Sequence, residues 1–220
     1  MKDLKDKLKI GLVFGGDSPE HQISLLSAKS VYQVIDRDKY NVVPIGITKE
    51  GYWLSPDESR EIIESKNTEV VSSSVSDIDI SQSLIPFLNE TIDVVFPLLH
   101  GPNGEDGKIQ GFFEMIDLPY VGTGVLSSAV GMDKAYMKKI FNYHNIPQGE
   151  FMVITEYELE KMQFDDLENK VESIGFPCFV KPANMGSSIG ISKVKEPDLL
   201  QDAIYNALKF DNKLVVEENI

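Results

Sequence analysis

The sequence predicts a two-domain α/β protein: an open, Rossmann-like parallel sheet within residues 1–131, then an α+β domain within residues 132–220. Two apolar runs, Leu8–Phe14 and Ile92–Leu99, each end in a glycine-rich loop that leads into a helical pattern. That is the pattern of strand–helix units in a buried parallel sheet. The pattern restarts after Gly149, where a different motif follows: the short strand Cys178–Val180, a lysine, a Gly/Ser loop and a second strand, Ile189–Val194.

In the first domain, Leu8–Phe14 gives way to Gly15-Gly16-Asp17-Ser18-Pro19-Glu20. Ser18 suits an N-cap, Pro19 the first helical position and Glu20 the positive end of the helix dipole. A helix is therefore expected from here to about Asp36, with Ile23, Leu26, Val31, Val34 and Ile35 as its core face. Tyr40–Thr48 reads as the next strand and Tyr52–Leu54 as a short one. Ser65–Ser83, polar and serine-rich, is expected mainly as surface loop. Gly15-Gly16 does not complete a Gly-x-Gly-x-x-Gly dinucleotide fingerprint, and Glu20 would repel a pyrophosphate and attract an ammonium. Position alone favours the simpler reading, in which Glu20 serves only its helix start.

Ile92–Leu99 leads into His100-Gly-Pro-Asn-Gly-Glu-Asp-Gly107, and the next helix is marked by Ile109, Phe112, Phe113 and Ile116 at i, i+3, i+4 and i+7. Asp106 suits its N-cap, and Gly107 and Gly111 suggest close backbone packing. Open parallel sheets bind ligands beyond the carboxyl ends of their strands, so Glu20 and His100 are expected in one cleft. A histidine in that place can also be a purely structural hydrogen-bonding residue. Leu118–Val121 reads as a short strand and Leu126–Gly131 as a small-residue helix.

The second domain opens with Asp133 as the cap of a helix whose core face is Met137, Ile140 and Phe141. Lys134 then sits at the positive end of that helix, an arrangement that a bound anion would favour; a solvated surface lysine is the alternative. Phe151–Thr155 is a strand, and a charged helix follows, ending at Ser173. In Phe179–Gly190, Lys181 can supply positive charge and the loop amides can surround an anion, although an ordinary hairpin tip has the same composition. The P-loop spacing is absent. Glu196-Pro197 starts a helix with Leu199, Leu200, Ala203, Ile204, Ala207 and Leu208 on one face, and Leu214–Glu217 is the last strand. The abrupt end at Ile220 leads to the expectation of a fragment.

The hydrophobic and charged fractions, 42% and 25%, are those of a globular protein, and no apolar run approaches the roughly 20 residues of a membrane span. Met1–Lys9 has no signal-peptide core, and a single cysteine, Cys178, suits a reducing cytoplasm. A net charge of −14 opposes nucleic-acid binding, so an anionic ligand must find a local cluster of lysines.

Together, Phe14–Ser24, Leu99–Gly111, Met132–Lys134 and Phe179–Gly190 resemble the motifs of the D-alanine–D-alanine ligases of the ATP-grasp superfamily, and the resemblance runs from about Lys9 to Ile220. It implies an open pre-ATP-grasp sheet followed by the first α+β half of an ATP-grasp nucleotide domain. It further implies that Glu20 receives the ammonium of the first D-alanine, that Ser187 is hydrogen-bonded to it, and that His100 stands beside that substrate. Lys134 and Lys181 would hold ATP phosphates. The loop from Gly186 through Ser187 and Ser188 to Gly190 would close over them, and Glu217 and Ile220 would receive adenine. The implied cofactors are ATP and magnesium, the product the dipeptide for peptidoglycan, and the assembly a homodimer through the amino-terminal domain, aided by the aromatic surface of Phe112 and Phe113. In the family the metal ligands, a catalytic arginine, the mobile closing loop and the rest of the fold lie beyond Ile220. No metal ligand and no turnover by this chain alone are therefore expected. Competing readings are a D-alanine–D-lactate ligase, a non-catalytic nucleotide-binding or dimerisation module, and a Rossmann oxidoreductase, which lacks its fingerprint.

Overall fold

The computed structural model describes residues 7–65, 69 and 80–220, with the backbone alone for 80–83. The chain divides into two units between Ser128 and Ala129. In the first, β1 (Leu8–Gly15) runs parallel to β2 (Tyr40–Ile47) on one side and β3 (Val94–Pro97) on the other. Ile10–Gly15 are all buried, as a strand covered on both faces requires. Its alternation divides the core. Leu12 and Phe14 pack with Leu25, Ala28, Val42 and Ile62, whereas Val13 packs with Ile45, Leu88, Val95 and Phe113. Trp53 makes an isolated bridge to Ile47.

The helix after β1, α1 (His21–Val34), differs from expectation at both its start and its face. Ser18 does not cap it; the Ser18 hydroxyl accepts from Glu20 N at 3.1 Å and so shapes the turn before the helix. Ile23, Leu26 and Val34 are 51%, 55% and 81% exposed, and the buried face is His21, Ser24, Leu25 and Ala28, with Val31 and Ile35 partly packed. Small residues let α1 lie close on the sheet, and Ser24 is admitted because both its hydrogen-bonding roles are filled there (below). A second helix, α2 (Pro56–Glu64), was not anticipated, although Ser55 and Glu58 form a full capping box with Pro56 at its start.

A third helix, α3 (Ile80–Thr91), corrects part of the Ser65–Ser83 loop, since residues 80–83 are helical; 66–68 and 70–79 lie outside the described residues. Pro86 inside α3 argues against a helix locally, but Leu88 is fully buried and Leu84 and Phe87 pack on the core at the matching spacing. Only Val94–Pro97 of the longer apolar run pairs as β3. The helix α4 (Lys108–Met115) carries the expected face, with Ile109 and Phe113 buried and Phe112 and Ile116 packed against them. Its cap is Gly107 at φ +91°, a conformation that favours glycine, while Asp106 accepts from Lys108 N and Asn103 N in the turn before it. Gly111 is not a tight contact: a methyl group there would lie 3.8 Å from Val125. The next helix is α5 (Val125–Met132), and the division of the chain falls inside it.

In the second unit, α6 (Lys134–Tyr143), β4 (Phe151–Thr155), α7 (Glu156–Leu159) and α8 (Phe164–Glu172) precede β5 (Cys178–Pro182) and β6 (Ser192–Val194). A 3₁₀ turn at Pro197–Leu199 leads to α9 (Leu200–Leu208), and β7 (Lys213–Glu218) inserts between β4 and β5 to give the antiparallel order β4-β7-β5-β6. The single charged helix expected before Ser173 is two, because Thr155 and Glu158 close a capping box for α7 and Gln163 starts α8. In α9, Leu200, Ala203, Ile204 and Ala207 are buried as expected, but Leu199 stays in the 3₁₀ turn and is 43% exposed.

The strand period sorts this sheet by face. Leu214, Val216, Cys178 and Val180 join α8 and α9 in the main core, while Val215 meets Ala135 of α6, Phe151 and Val153 on the other side. Ala135 rather than Met137, Ile140 and Phe141 is therefore the buried contact of α6; Met137 and Phe141 are half-buried and Ile140 is exposed.

Candidate functional site

In the first unit the site residues stand on the loops after β1 and β3. Glu20 occupies the N-cap position of α1 but makes no side-chain cap, and it is only 8% exposed. Its carboxylate lies against Gly101: a methyl group built there would be 2.4 Å from Glu20 Oε2 and 3.0 Å from Ser18 Oγ. Glu20 and the loop headed by His100 thus meet. His100 Nε2 is 3.0 Å from Ser27 Oγ, which orients the ring from α1.

Residues not anticipated hold these loops. Ser24 Oγ accepts from Gly15 N at 2.8 Å and donates to Leu98 O at 2.6 Å, tying the end of β1 to the segment leaving β3. The ring of His21, 1% exposed, reaches Gly16 O with Nδ1 at 2.8 Å, and Gln110 Nε2 donates to Gly104 O at 2.9 Å. The available signal was polar residues recurring at helix spacing, His21, Ser24 and Ser27, where a core-facing helix should be apolar.

In the second unit the site residues stand on the strands and on α6. Period 2 puts Lys213, Val215 and Glu217 of β7 on the α6 side, with Phe179 and Lys181 on the matching face of β5. The Lys181 ammonium pairs with Glu217 Oε1, and Lys138, one helical turn beyond Lys134, reaches Glu217 Oε2 at 2.9 Å. Burial opposes ionisation of Glu217, but the hydrogen bonds from Lys181 and Lys138 outweigh it and hold the carboxyl below its ordinary range. Glu217, expected at the adenine hinge, therefore has its side chain committed to two lysines; Ile220 is 96% exposed.

Lys134 Nζ donates to Met185 O at 2.5 Å, and burial first, the charge of Lys181 second, lower its pKa; Asp211, Glu217 and Asp133 act in the opposite sense. The helix start itself has no amide to offer an anion. Asp133 accepts from Ala135 N and Tyr136 N, Met137 N bonds Asp133 O, and Lys134 N bonds Ala183 O. What remains for an anion is the Lys134 ammonium. Asp133 is in turn paired with Lys213, and Asp211 accepts from Asn184 N at 2.7 Å, which fixes the chain entering the Gly/Ser loop. In that loop Ser187, Ser188 and Gly190 have φ of +46°, +60° and +71°. Such a left-handed path turns successive amides towards one side, and Ser187 and Ser188 are exposed.

This donor set fits a polyphosphate: a lysine whose charge is disfavoured by burial and by a second lysine, beside a left-handed loop in which Ser187 and Ser188 are exposed. Among the described residues there is no group of three or more His, Cys, Asp or Glu side chains that could hold a metal, so magnesium is assigned no ligand. No helix among them is long and apolar enough to cross a membrane.

The family model described as the D-ala D-ala ligase N-terminus matches residues 9–123, and that of the D-ala D-ala ligase C-terminus matches residues 140–220. The D-alanine–D-alanine ligase of Halothermothrix orenii is 48% identical over 96% of this chain and 61% of its own length; that of Caldicellulosiruptor bescii is 48% identical over 97% and 60%. Among solved structures, the D-alanine–D-alanine ligase of Coxiella burnetii superposes with a TM-score of 0.79 at 28% identity, covering 97% of this chain and 64% of that one. The VanG D-Ala:D-Ser ligase of Enterococcus faecalis gives 0.76 at 32%, covering 98% and 63%. The chain thus spans about 60% of the length of the curated relatives it matches. With the first family model alone matching more than half of its residues, the chain belongs to the D-alanine–D-alanine ligase family.

Proposed function

We propose that this chain provides the first-substrate and phosphate-binding residues of an ATP-dependent ligase that joins two D-alanine molecules for peptidoglycan synthesis in the cytoplasm. The observation that carries the reading is the lysine cluster. In a chain of net charge −14, Lys134 reaches Met185 O at the entrance of the Gly/Ser loop while Lys138, one helical turn on, and Lys181 share Glu217. The charge of Lys181 adds to burial in lowering the Lys134 pKa, an arrangement that a polyphosphate relieves. ATP, when bound with magnesium, supplies the phosphoryl group that turns the first D-alanine carboxylate into an acyl phosphate open to attack by the second amine.

The chain's own residues bind and position. Lys134 and Lys181 neutralise phosphate oxygens, and the amides of Gly186, Ser187, Ser188 and Gly190 donate to them. Glu20, kept from solvent against Gly101, accepts from the substrate ammonium, with His100 oriented by Ser27. Glu217 and Ile220 border the adenine. The homodimer is retained on family grounds. Of the aromatic surface offered for it, Phe113 is fully buried, and Phe112, half-buried, packs between Trp53 and Phe113. Light scattering tests it, and a strict monomer at high concentration removes it.

The test uses the complete polypeptide that carries this chain. Lys134→Ala and Lys181→Ala should each weaken ATP use by about 1.5–3 kcal/mol, one to two powers of ten, at an unchanged KM for D-alanine. Glu20→Gln should do the reverse, raising the KM for the first D-alanine by about the same factor with ATP binding intact. Normal ATP kinetics in both lysine variants removes the phosphate assignment, and normal D-alanine kinetics in Glu20→Gln removes the ammonium assignment. The likeness to a D-Ala:D-Ser ligase makes D-serine, alongside D-lactate, the competing second substrate, and product analysis with each decides.

A further inference from the structure

We infer that Lys138 is a positioning residue for the nucleotide: by sharing Glu217 with Lys181, it keeps the Lys181 ammonium available to phosphate. The inference rests on the phosphate reading of Lys181 and extends it to a residue outside that reading. Lys138 lies on α6, one turn after Lys134, and its side chain is 12% exposed, against 15% for Glu217 and 20% for Lys181. Each carboxylate oxygen of Glu217 has its own lysine, Oε2 with Lys138 and Oε1 with Lys181. The Lys138 ammonium also stands 5.2 Å from the centre of the Phe151 ring, on the strand that pairs with β7 at Glu217.

The logic is one of charge balance in a partly dry site. A carboxylate with one lysine holds that lysine strongly, since moving it away leaves a buried charge without a partner. A second lysine on the same carboxylate removes that penalty. When Lys181 turns to a phosphate, Glu217 stays neutralised by Lys138. The cation that must move and the cation that stays are thus different residues, and only the moving one needs to touch the ligand. Lys138 is half of an α6–β7 ion pair that a merely structural role would explain equally well in the resting state. The two roles part once the carboxylate charge is removed.

The experiment is a double-mutant cycle in the complete polypeptide, read by calorimetry with a non-hydrolysable ATP analogue. Lys138→Met should raise its Kd about tenfold, the scale of one lost charge-assisted contact, while Lys138→Arg stays within about twofold of wild type. In a Glu217→Gln background, where no carboxylate competes for Lys181, Lys138→Met should change Kd by less than about twofold. A second readout needs no nucleotide: acetylation of Lys181 by an amine-reactive ester, followed by peptide mass spectrometry. Lys138→Met should slow it severalfold, because Lys181 is then the sole partner of Glu217, and the effect should vanish with Glu217→Gln. Where Lys138→Met does not fold, Lys138→Gln takes its place in both arms. An unchanged Kd and an unchanged Lys181 reactivity in the Lys138 variant overturn the inference, as does an equal loss of affinity in both backgrounds. No binding by the wild type, with the reactivity pattern intact, overturns the phosphate reading and leaves the Lys138–Glu217–Lys181 coupling standing.

Discussion

The parallel and antiparallel sheets hold their candidate site residues by different physics. In the first unit, Glu20 and His100 stand on loops beyond strand ends, and neutral hydrogen bonds from Ser24, His21, Ser27 and Gln110 set those loops. In the second unit, Lys181, Lys213 and Glu217 stand on the strands themselves, and ion pairs with Lys138 and Asp133 set them. A loop site is thereby limited by backbone geometry and a strand site by charge balance. In this acidic chain the lysines of the second unit are balanced beside them, Lys138 and Lys181 by Glu217 and Lys213 by Asp133.

The largest expected effects test where geometry governs. Gly101 and Gly190 share φ +71°, and both are crowded: a methyl at Gly190 would lie 2.6 Å from Phe210 Cδ2 and 2.7 Å from Pro182 Cγ. Left-handed strain and overpacking together should make Gly101→Ala and Gly190→Ala each cost about 2–4 kcal/mol in denaturant unfolding. Adding Glu20→Ala should recover part of the first loss, since a movable carboxylate is the obstacle, whereas the Pro182 ring cannot step aside. If Gly101→Ala melts like wild type, the loop is not limited by geometry.

Next in size is the contrast of neutral with ionic partners. Ser24→Ala strands a buried N–H and a buried carbonyl and should cost about 1–3 kcal/mol, independent of salt. Asp133→Ala loses the α6 cap, worth about 1 kcal/mol, and leaves Lys213 without its carboxylate. That loss should shrink in high salt, because the pair is partly reached by solvent. Equal salt dependence in the two variants would break the comparison.

The smallest effects are in pH. Glu217 is held below its ordinary 4.5, so its stabilisation is present above that value and disappears as pH falls through the lowered one. The melting difference between wild type and Glu217→Gln should therefore close below about pH 4.5. Lys134 is also lowered, from 10.5, and here the unfolded chain binds more protons, so stability rises with pH as that value is approached. Lys134→Met should melt slightly above wild type at neutral pH, with the gap narrowing in alkali. A gap that widens with pH would mean that Lys134 is not disfavoured by burial.

Much of the fold was legible because its signals are local. The nearly continuous apolar run Leu8–Phe14, the Ile109–Ile116 spacing and the Leu200–Ala207 face each state their own environment. The face of α1 was not legible, because Ser24 and Ala28 are buried for what they fit and bond, while Ile23, Leu26 and Val34 remain outside. Helix α3 was missed because Pro86 is a correct local argument against it that burial of Leu88 overrides.

By itself the sequence determined most of the strands, the faces of α4 and α9 and the cap at Asp133, and it singled out Glu20, His100, Lys134, Lys181 and the loop Gly186–Gly190 as candidates. These depend on period, on turn chemistry and on motif, all short-range. Only the tertiary structure decided their partners. That Lys138 shares Glu217 with Lys181, that Ser24 ties Gly15 to Leu98, and that Gly101 abuts Glu20 follow from strand register and helix docking. Such contacts join residues far apart in the chain, and no local spacing encodes them, because the free energy that selects a register comes from burying a whole face at once.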